Sequence, residues 1–380
     1  LGMIYICFLA LFFLAAFLDI SQSRTTVLFK KGAMSYLLFC AVLFIGLRYY
    51  TGADWNGYIH YFENVTWENK TYGFGYKTLN IVCKMLFGNY YAVQFFSSLA
   101  FILSVYRFFK THTHYIFTCI FLAVAIYFSE LFMCQVRQSL AIAILLFGID
   151  YLLSGKWVRY VLIVILASLF HTTAIIMLCA FVLLIHIPKW VRVFLCLVVF
   201  LLIAEPVLTI EAVKIIAKYT PGKIGKLANG YLVSSLFGDG ATLSTGFVFY
   251  TRQIFALFIV LFFSPKTQFE HFVMNALVCN MLLLNSSLAF SQLGRVAYYF
   301  GFYAIIGYAV FFDIHFLKRY KGIYCLSILL FFAFFFIPFA KTRLNNGISK
   351  LNGRPEQYQY IPYWNVFFHP ENAWRKDWNQ

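Results

Sequence analysis

Apolar stretches recur along the whole chain, each close to the ~20 residues that cross ~30 Å of hydrocarbon as a helix. Of the 380 residues, 62% are hydrophobic and 12% are charged, which is about half the charged share of soluble domains. The strands of a barrel would instead alternate in polarity over ~10 residues. The sequence therefore predicts an all-α fold, a polytopic transmembrane helical bundle.

The apolar stretches predict about 12 spans, some of them short or re-entrant. They lie near residues 3–19, 33–50, 89–107, 115–133, 136–153, 157–170, 172–186, 189–204, 247–263, 271–289, 296–312 and 322–340. We expect a transmembrane helical domain over 1–340, with outer loops at 51–88 and 205–246, and an aromatic outer tail at 341–380.

Basic residues in the short connections indicate which loops face the cytoplasm. They recur in the connections that hold Lys156, Lys189 and Lys318. The pattern is consistent only if residues 157–186 cross twice, with a turn near His171. Two spans of about 14 residues are short, so two full crossings and a re-entrant pair both stay open.

This topology brings polar residues of the apolar spans to one face, which we expect to be the outer one. They are Arg48, Asp54, Glu130, Arg137, His171, Arg252 and Arg295. Several of the arginines lie at helix starts, and helix N-termini already favour negative charge. The grouping therefore predicts an anion site at the outer face.

Arg48 and Asp54 lie where a span ends and the first long outer loop begins. A snorkelling arginine beside an exposed loop acid would explain them without a function. In the functional interpretation, Arg48 holds a phosphate as a bidentate donor, and Asp54 accepts a proton or a sugar hydroxyl.

Arg137 stands at the start of an apolar span, where a charge costs ~2.5–3.5 kcal/mol if it is truly central. A structural pair with Glu130 would offset that cost, and so would a bound anion. Arg252 and Arg295 open two later spans at the same face.

His171 interrupts an apolar stretch and is followed by two threonines. It is either a satisfied structural residue or a general base, since histidine titrates near neutral pH. The hydroxyls of Thr172 and Thr173 can also cap the following helix.

Composition excludes several classes of protein. The net charge of +16 is not carried by a soluble basic domain, so we expect no nucleic acid partner and favour anionic lipid or lipid-linked phosphate. The nine cysteines are scattered singly, without metal-ligand spacing. No glycine-rich phosphate loop is present, which argues against an ATP-driven pump.

Two further segments are interpreted as membrane-surface features. Residues 213–227 combine lysines with apolar side chains, which is typical of an interfacial amphipathic segment. The aromatic tail can stack on sugar rings or anchor at the interface.

Four segments carry a resemblance to a known family. They are GLRYYTGADWNGY at 46–58, QVRQSLAIAILLFGIDYLLSGKWVRYVLIVILASLFHTTAII at 135–176, SQLGRVAYYF at 291–300 and YQYIPYWN at 358–365. The second is the most specific, because an R-Q-x-L-A helix is followed after a gap by L-F-H-T. Together they resemble the EpsG/Wzy-type family of bacterial polysaccharide polymerases, which make O-antigen, capsule or exopolysaccharide.

The resemblance implies a glycosyltransferase C-like, multi-pass enzyme of the bacterial inner membrane, with its active face outside the cytoplasm. Such an enzyme moves a glycan from undecaprenyl diphosphate onto a new lipid-linked repeat unit. Its partners would be the undecaprenyl-diphosphate-linked oligosaccharide, membrane lipid and a chain-length regulator protein. It would use no nucleotide and no cofactor.

The resemblance also implies roles for individual residues. His171 and Asp54 are the catalytic candidates, and which of them is the base stays open. Arg48, Arg137, Arg252 and Arg295 are expected to bind the diphosphate. Tyr58, Gln138, Tyr299 and Tyr360, which lie within the four segments, are expected to bind substrate. The second adjacent acid of metal-using relatives is absent after Asp54, so we expect no metal.

Three rivals use overlapping features. A ligase would need the same donor site and differ only in its acceptor. A flippase or exporter of lipid-linked oligosaccharide would need a cavity open to both faces, and the one-sided grouping of polar residues favours an enzyme. A membrane acyltransferase would need a histidine paired with a second polar residue inside a span.

Overall fold

The computed structural model describes residues 3–20, 24–52, 54–69, 71–204, 211, 214–215, 218–219, 243–287, 292–313, 322–323, 325–330 and 363–368. Within these ranges the regular secondary structure is helical, apart from a single antiparallel bridge between Arg48 and Asn365. The predicted all-α class is therefore confirmed.

Twelve α-helices have defined bounds in the described residues. They are α1 Met3–Ala16, α2 Arg24–Gly46, α3 Trp55–Asn64, α4 Phe74–Phe87, α5 Tyr90–His112, α6 Ile116–Tyr127, α7 Val136–Leu153, α8 Trp157–Ser168, α9 Lys189–Ala204, α10 Leu243–Phe262, α11 Gln268–Ser286 and α12 Gln292–Ala309. Segments of 3₁₀ helix occur at Phe17–Ile20, Thr172–Leu184 and Val310–Asp313, and a π-helical turn occurs at Phe128–Phe132.

Four of the described helices are long and apolar enough to cross a membrane. They are Val27–Gly46, Tyr90–His112, Val136–Leu153 and Gln292–Phe312. Five shorter apolar helices lie at Ile4–Asp19, Ile116–Phe132, Trp157–Ser168, Thr172–Leu184 and Arg252–Phe262. The protein is thus an apolar helical membrane protein, and the larger number of about 12 spans stays a prediction.

The predicted boundaries are closest where a span is long and uniformly apolar. Helices α7 and α9 begin and end at the predicted residues. Helix α5 instead continues beyond residue 107 to His112, because basic side chains in a last turn complement the helix dipole. The predicted span 322–340 lies mostly outside the described residues.

Residues 157–184 form the hairpin that the basic loops predict. Helix α8 ends at Ser168, and the next helical segment begins at Thr172, so the turn falls at residues 169–171. The hydroxyl of Tyr160 donates to the carbonyl of Met177 at 2.7 Å, which pins the two arms side by side. The second arm is a 3₁₀ helix of 13 residues, which at ~2.0 Å per residue reaches ~26 Å.

The described residues divide by packing into two units, Leu1–Leu178 with Lys321–Gln380, and Cys179–Tyr320. In the first unit, Asp19 accepts from the backbone N–H groups of Phe117 and Thr118 and so caps the start of α6. His112 and Arg107 both pair with Asp150, which ties α5 to α7.

The second unit is held by buried amides inside apolar helices. Asn275 accepts from Arg192 at 2.9 Å and donates to the carbonyls of Leu183 and Ile185. Gln253 donates to the carbonyl of Cys196 at 2.9 Å. Such polar contacts fix the register of helices that are apolar on every side.

The two predicted outer loops and the tail differ in how far they are described. The loop 51–88 contains helices α3 and α4, which the sequence interpretation did not include. Most of the loop 205–246, with the predicted interfacial segment 213–227, lies outside the described residues. In the tail, only residues 363–368 are described.

Candidate active site

Helices α3 and α4 pack against the first turns of α5 and α7 and form an aromatic cluster in the first unit. Its buried members are Trp55, Tyr58, Tyr61, Phe62, Val65, Tyr76, Ile81, Cys83, Tyr90, Val93, Val136 and Leu140. Partly buried residues also pack against the cluster, among them Tyr50, Tyr72, Tyr91 and Phe170. The cluster therefore joins two of the four segments that carry the family resemblance, 46–58 and 135–176.

Close backbone contact brings the hairpin turn of residues 169–171 onto the start of α4. The N–H of Gly75 donates to the carbonyl of Leu169 at 2.9 Å. A Cβ at Gly73 would overlap that same carbonyl, and a Cβ at Gly75 would lie 2.7 Å from the ring of Phe170. Glycine at both positions is what lets the turn, and with it His171, lie beside the cluster.

Arg137 projects from the first turn of α7 into this cluster. Its guanidinium carbon lies 3.9 Å from the ring centre of Tyr72, in a cation–π contact. It also lies close enough to the side chain of Tyr58 to lower the pKa of that hydroxyl. Arg137 is half-buried, and two aromatic partners therefore hold its charge in place.

The Tyr58 hydroxyl lies between the charges of Arg137 and Asp54. Burial raises the pKa of Tyr58 to about 12, the nearby Asp54 carboxylate adds to the rise, and Arg137 opposes it. Tyr58 is therefore a neutral hydroxyl at physiological pH and can donate a hydrogen bond. Asp54 itself is exposed, at the position that precedes α3.

Arg48 is almost fully buried, with 1% of its surface exposed, at the end of α2. Its guanidinium donates to the carbonyl of Ile45 at 2.5 Å and to that of Thr51 at 3.3 Å. A cation at a helix C-terminus is favoured by the helix dipole. Arg48 therefore caps the C-terminal end of α2 by hydrogen bonds to backbone carbonyls.

The described part of the tail covers this helix end. Tyr49 N–H donates to the carbonyl of Trp364 at 2.9 Å, and Val366 N–H donates to that of Leu47 at 2.9 Å. The Tyr363 hydroxyl donates to the carbonyl of Phe44 at 2.6 Å. Residues 364–366 thus pair with residues 47–49 through backbone hydrogen bonds on either side of Arg48.

His171 is half-buried at the hairpin turn, directly after Phe170. Its Nδ1 lies 2.6 Å from the hydroxyl of Thr173. If Nδ1 carries the proton and donates to Thr173, then Nε2 holds the lone pair of a base. With the opposite tautomer, Nε2 becomes a donor instead.

Several buried polar atoms of the cluster lack a hydrogen-bond partner among the described residues. They are Nε of Arg137, Nε1 of Trp55 and the hydroxyl of Tyr61. Each is a donor, and buried donors in proteins are paired in the great majority of cases. This group of donors around a held cation is suited to an anionic, hydroxyl-rich ligand.

Gln138 and Glu130 complete the predicted residues of the first unit. Gln138 is buried next to Arg137 in α7. Glu130 lies in the π-helical turn and accepts from the side chain of Gln135 at 3.0 Å. The structure thus brings Arg48, Arg137 and Asp54 near Tyr58, with His171 at the turn that contacts α4. Gln138 is buried in the same helix as Arg137.

The other predicted residues lie elsewhere in the chain. Arg252 and Arg295 are in α10 and α12 of the second unit, half-buried and exposed respectively, and Tyr299 is buried in α12. Their convergence with the first unit stays a prediction. Tyr360 lies outside the described residues.

No group of three or more His, Cys, Asp or Glu side chains that could hold a metal ion occurs in the described ranges. The expectation that the enzyme uses no metal stays a prediction.

Sequence reasoning missed the aromatic partners of the site. Tyr72, Tyr61 and Trp55 were not among the predicted site residues, although all lie in the aromatic-rich segment 49–91, and Thr173 was considered only as a helix cap. The density of tyrosines in that loop was a usable signal. No local sequence pattern indicates the contact between Tyr72 and Arg137, because the two residues are far apart in the sequence.

Comparison with known proteins gives one family. The model of the EpsG family matches residues 31–363, which include all of the first-unit site residues. No curated protein and no solved structure matches the chain. Because the match extends over well more than half of the 380 residues, this membrane protein belongs to the EpsG family, and that membership indicates a function of the polysaccharide-polymerase type.

Proposed function

We propose that the chain is a glycosyltransferase that polymerises a polysaccharide from lipid-linked repeat units at the outer face of the bacterial inner membrane. The donor is a glycan on undecaprenyl diphosphate, and the acceptor is the free end of a new lipid-linked unit. Membership of the EpsG family supports the polymerase class. The substrate and the chemistry are our inference from the site.

The observation that carries the proposal is the cation–π contact of Arg137 with Tyr72, in a cluster that also contains buried donors. Arg137 is fixed by Tyr72 and Tyr58, while its own Nε, together with Trp55 Nε1 and the Tyr61 hydroxyl, has no partner in the described structure. A diphosphate supplies negative charge for the cation, and sugar hydroxyls can accept from the other donors. Aromatic faces also stack on sugar rings.

The reaction requires one bond to form and one to break. The acceptor hydroxyl oxygen attacks the anomeric carbon of the donor, and the bond from that carbon to the diphosphate breaks. Undecaprenyl diphosphate leaves with the electron pair, and the hydroxyl proton passes to a base. Arg137 stabilises the charge that develops on the leaving group.

Two groups remain candidates for the base, and we favour His171. It lies at the turn that packs against the cluster, and its contact with Thr173 can orient it with Nε2 as acceptor. Asp54 raises the pKa of Tyr58, whereas Arg137 lowers it. We assign Asp54 to binding an acceptor hydroxyl together with Tyr58.

The direct test uses purified protein in vesicles with a defined undecaprenyl-diphosphate-linked repeat unit. The proposal expects a ladder of lengthened lipid-linked products, which Arg137→Ala abolishes. Arg107→Ala is the matched control, because Arg107 also stacks on an aromatic ring, that of Phe147 at 4.4 Å, but belongs to the Asp150 ion pair.

Other outcomes contradict the proposal in distinct ways. Transfer of the glycan to a different acceptor, with no lengthening, would identify a ligase. Movement of the lipid-linked unit between leaflets without a new glycosidic bond would identify a flippase. A full ladder of lengthened products from Arg137→Ala would show that the cluster does not bind the donor.

A further inference from the structure

Helix α4 has two different faces. Tyr76, Asn80 and Cys83 are buried on the side that packs into the aromatic cluster. On another side, large apolar residues are exposed: Phe74 by 58%, Val82 by 43%, Met85 by 81% and Leu86 by 70%. We call these four residues the apolar stripe. Val82 lies eight residues, about two turns, after Phe74, and Met85 and Leu86 follow Val82 at i+3 and i+4, so the four side chains lie on one side of the helix, with the buried Ile81 at its edge.

The stripe lies close to helix α5. Gly88 and Asn89 alone separate α4 from α5, which is one of the helices that can cross a membrane. Asn89 caps α5 by accepting from the backbone N–H of Ala92. Phe87, at the end of α4, lies 5.4 Å from Phe96, an exposed residue nearly two turns inside α5. The end of α4 therefore lies beside an exposed apolar side chain of α5, near the N-terminal end of that helix.

Polar anchors flank the stripe on the side of the α3–α4 connection. The Lys77 amine donates to the carbonyl of Trp67 at 2.8 Å, and the Lys84 amine donates to that of Glu63 at 2.7 Å. The Trp67 ring is 57% exposed and lies 6.5 Å from the ring of Phe74. Tryptophan and snorkelling lysine are the residues enriched where hydrocarbon meets water.

We propose that α4 is an interfacial helix, whose apolar stripe inserts into the leaflet that adjoins the N-terminal end of α5. The partner is the lipid bilayer itself. Helices of this kind bury their apolar face ~5–10 Å into the headgroup and acyl boundary. Because Tyr76 on the other face belongs to the cluster, the insertion holds Tyr58 and Arg137 at the level of the lipid headgroups. This proposal rests on the membrane placement of α5 and not on the catalytic role of the cluster.

Nitroxide labels test the proposal on the full chain in vesicles of phosphatidylethanolamine and phosphatidylglycerol. Labels are placed at Met85→Cys and Leu86→Cys, and at Glu68→Cys as the matched exposed control, after replacement of the nine native cysteines. The stripe labels should collide with oxygen, which concentrates in hydrocarbon, several-fold more than with a water-soluble nickel chelate. The Glu68 label should show the reverse preference.

A photo-reactive phenylalanine analogue at position 85, in the chain with all its native cysteines, provides the second measurement. Irradiation should yield lipid adducts from position 85 and none from position 68. Nickel accessibility at Met85 equal to that at Glu68 would overturn the proposal. So would a label at Met85 that neither reagent reaches, or a crosslink to a second copy of the chain, because protein would then cover the stripe.

Discussion

At the scale of single residues, two arginines that look alike in the sequence have different surroundings. Arg48 and Arg137 each stand at the edge of an apolar stretch beside polar residues. In the structure, Arg48 donates to backbone carbonyls at the end of its helix, whereas Arg137 is held between Tyr72 and Tyr58. The sequence could identify the positions but not this division, because it depends on tertiary neighbours.

The first prediction separates stability from turnover at these two arginines. Arg48→Ala should lower the thermal unfolding temperature in detergent, because it removes the buried hydrogen bonds from a charged donor to the carbonyls of Ile45 and Thr51, worth ~1.5–3 kcal/mol each. Arg137→Ala should unfold close to the wild-type temperature but lose polymer formation by roughly a hundredfold or more. Arg137→Lys should recover little of it, since lysine lacks the planar fork and stacks less well. Wild-type chain lengths in Arg137→Ala would exclude a role in the donor site.

The second prediction concerns the acid side of the pH profile. A base must be unprotonated, so the rate should fall as pH drops through the range near ~6.5 in which histidine titrates. His171→Ala should lose polymerisation while binding of the lipid diphosphate persists. Thr173→Val should slow turnover and Thr173→Ser should not, because the serine hydroxyl can still orient Nδ1 of His171. If Asp54→Asn is inactive and His171→Gln keeps the wild-type profile, Asp54 is the base.

The third prediction concerns the alkaline side. Burial first, and Asp54 second, raise the pKa of Tyr58 to about 12. Since an unfolded tyrosine ionises near ~10, the neutral hydroxyl of the folded state persists until the pH approaches the raised value. Tyr58→Phe should therefore reduce the rate by about tenfold to a hundredfold at every pH up to ~10, from the loss of a hydrogen bond to a charged group. An effect confined to alkaline pH would show that Tyr58 acts through its ionised form.

At the scale of helices, the quality of the prediction follows the length of the apolar pattern. Helices α7 and α9 were located to the residue because their apolar runs are long, and because α7 ends before Ser154 and Gly155 while α9 begins at Lys189, directly after Pro188. Helices α3 and α4 were missed because only one side of each is buried, and their polar residues resemble those of a loop. The contact of Gly73 with Leu169 joins segments far apart in sequence, which no local pattern indicates.

The fourth prediction tests that contact between elements. In Gly73→Ala, the added methyl would overlap the Leu169 carbonyl, so the hairpin turn must move away from α4. Overpacking of this kind costs about 1–3 kcal/mol, and here it should also reduce turnover by displacing His171. Gly57→Ala in α3 is the matched control, because a Cβ there meets nothing within 4 Å. Its activity should be unchanged and its stability equal or slightly higher. Equal effects of the two substitutions would argue against the close packing of the turn.

At the scale of the whole molecule, the sequence predicted an all-helical membrane protein of the right family but not its division into packed units. Charge and apolar length are properties of individual segments, and they suffice for fold class and for the turn at residues 169–171. The packing of Arg137 against Tyr72 joins distant parts of the chain, which those properties do not encode. The side of the membrane that the site faces rests on the distribution of basic residues alone.

The fifth prediction tests that side directly. Single cysteines at His60 and Glu68, both exposed in the α3–α4 region, should react with an impermeant thiol reagent in intact spheroplasts. A cysteine at Lys156, exposed between α7 and α8, should react only after the membrane is permeabilised. The native cysteines are replaced first, and polymer formation by each labelled variant confirms that it is folded. Since the lipid-linked repeat units of the proposed reaction are joined outside the cytoplasm, the opposite labelling pattern would place Arg137 and His171 on the wrong side for it. The polymerase mechanism built on this cluster would then have to be abandoned, while the membrane contact of α4 would still hold for the opposite leaflet.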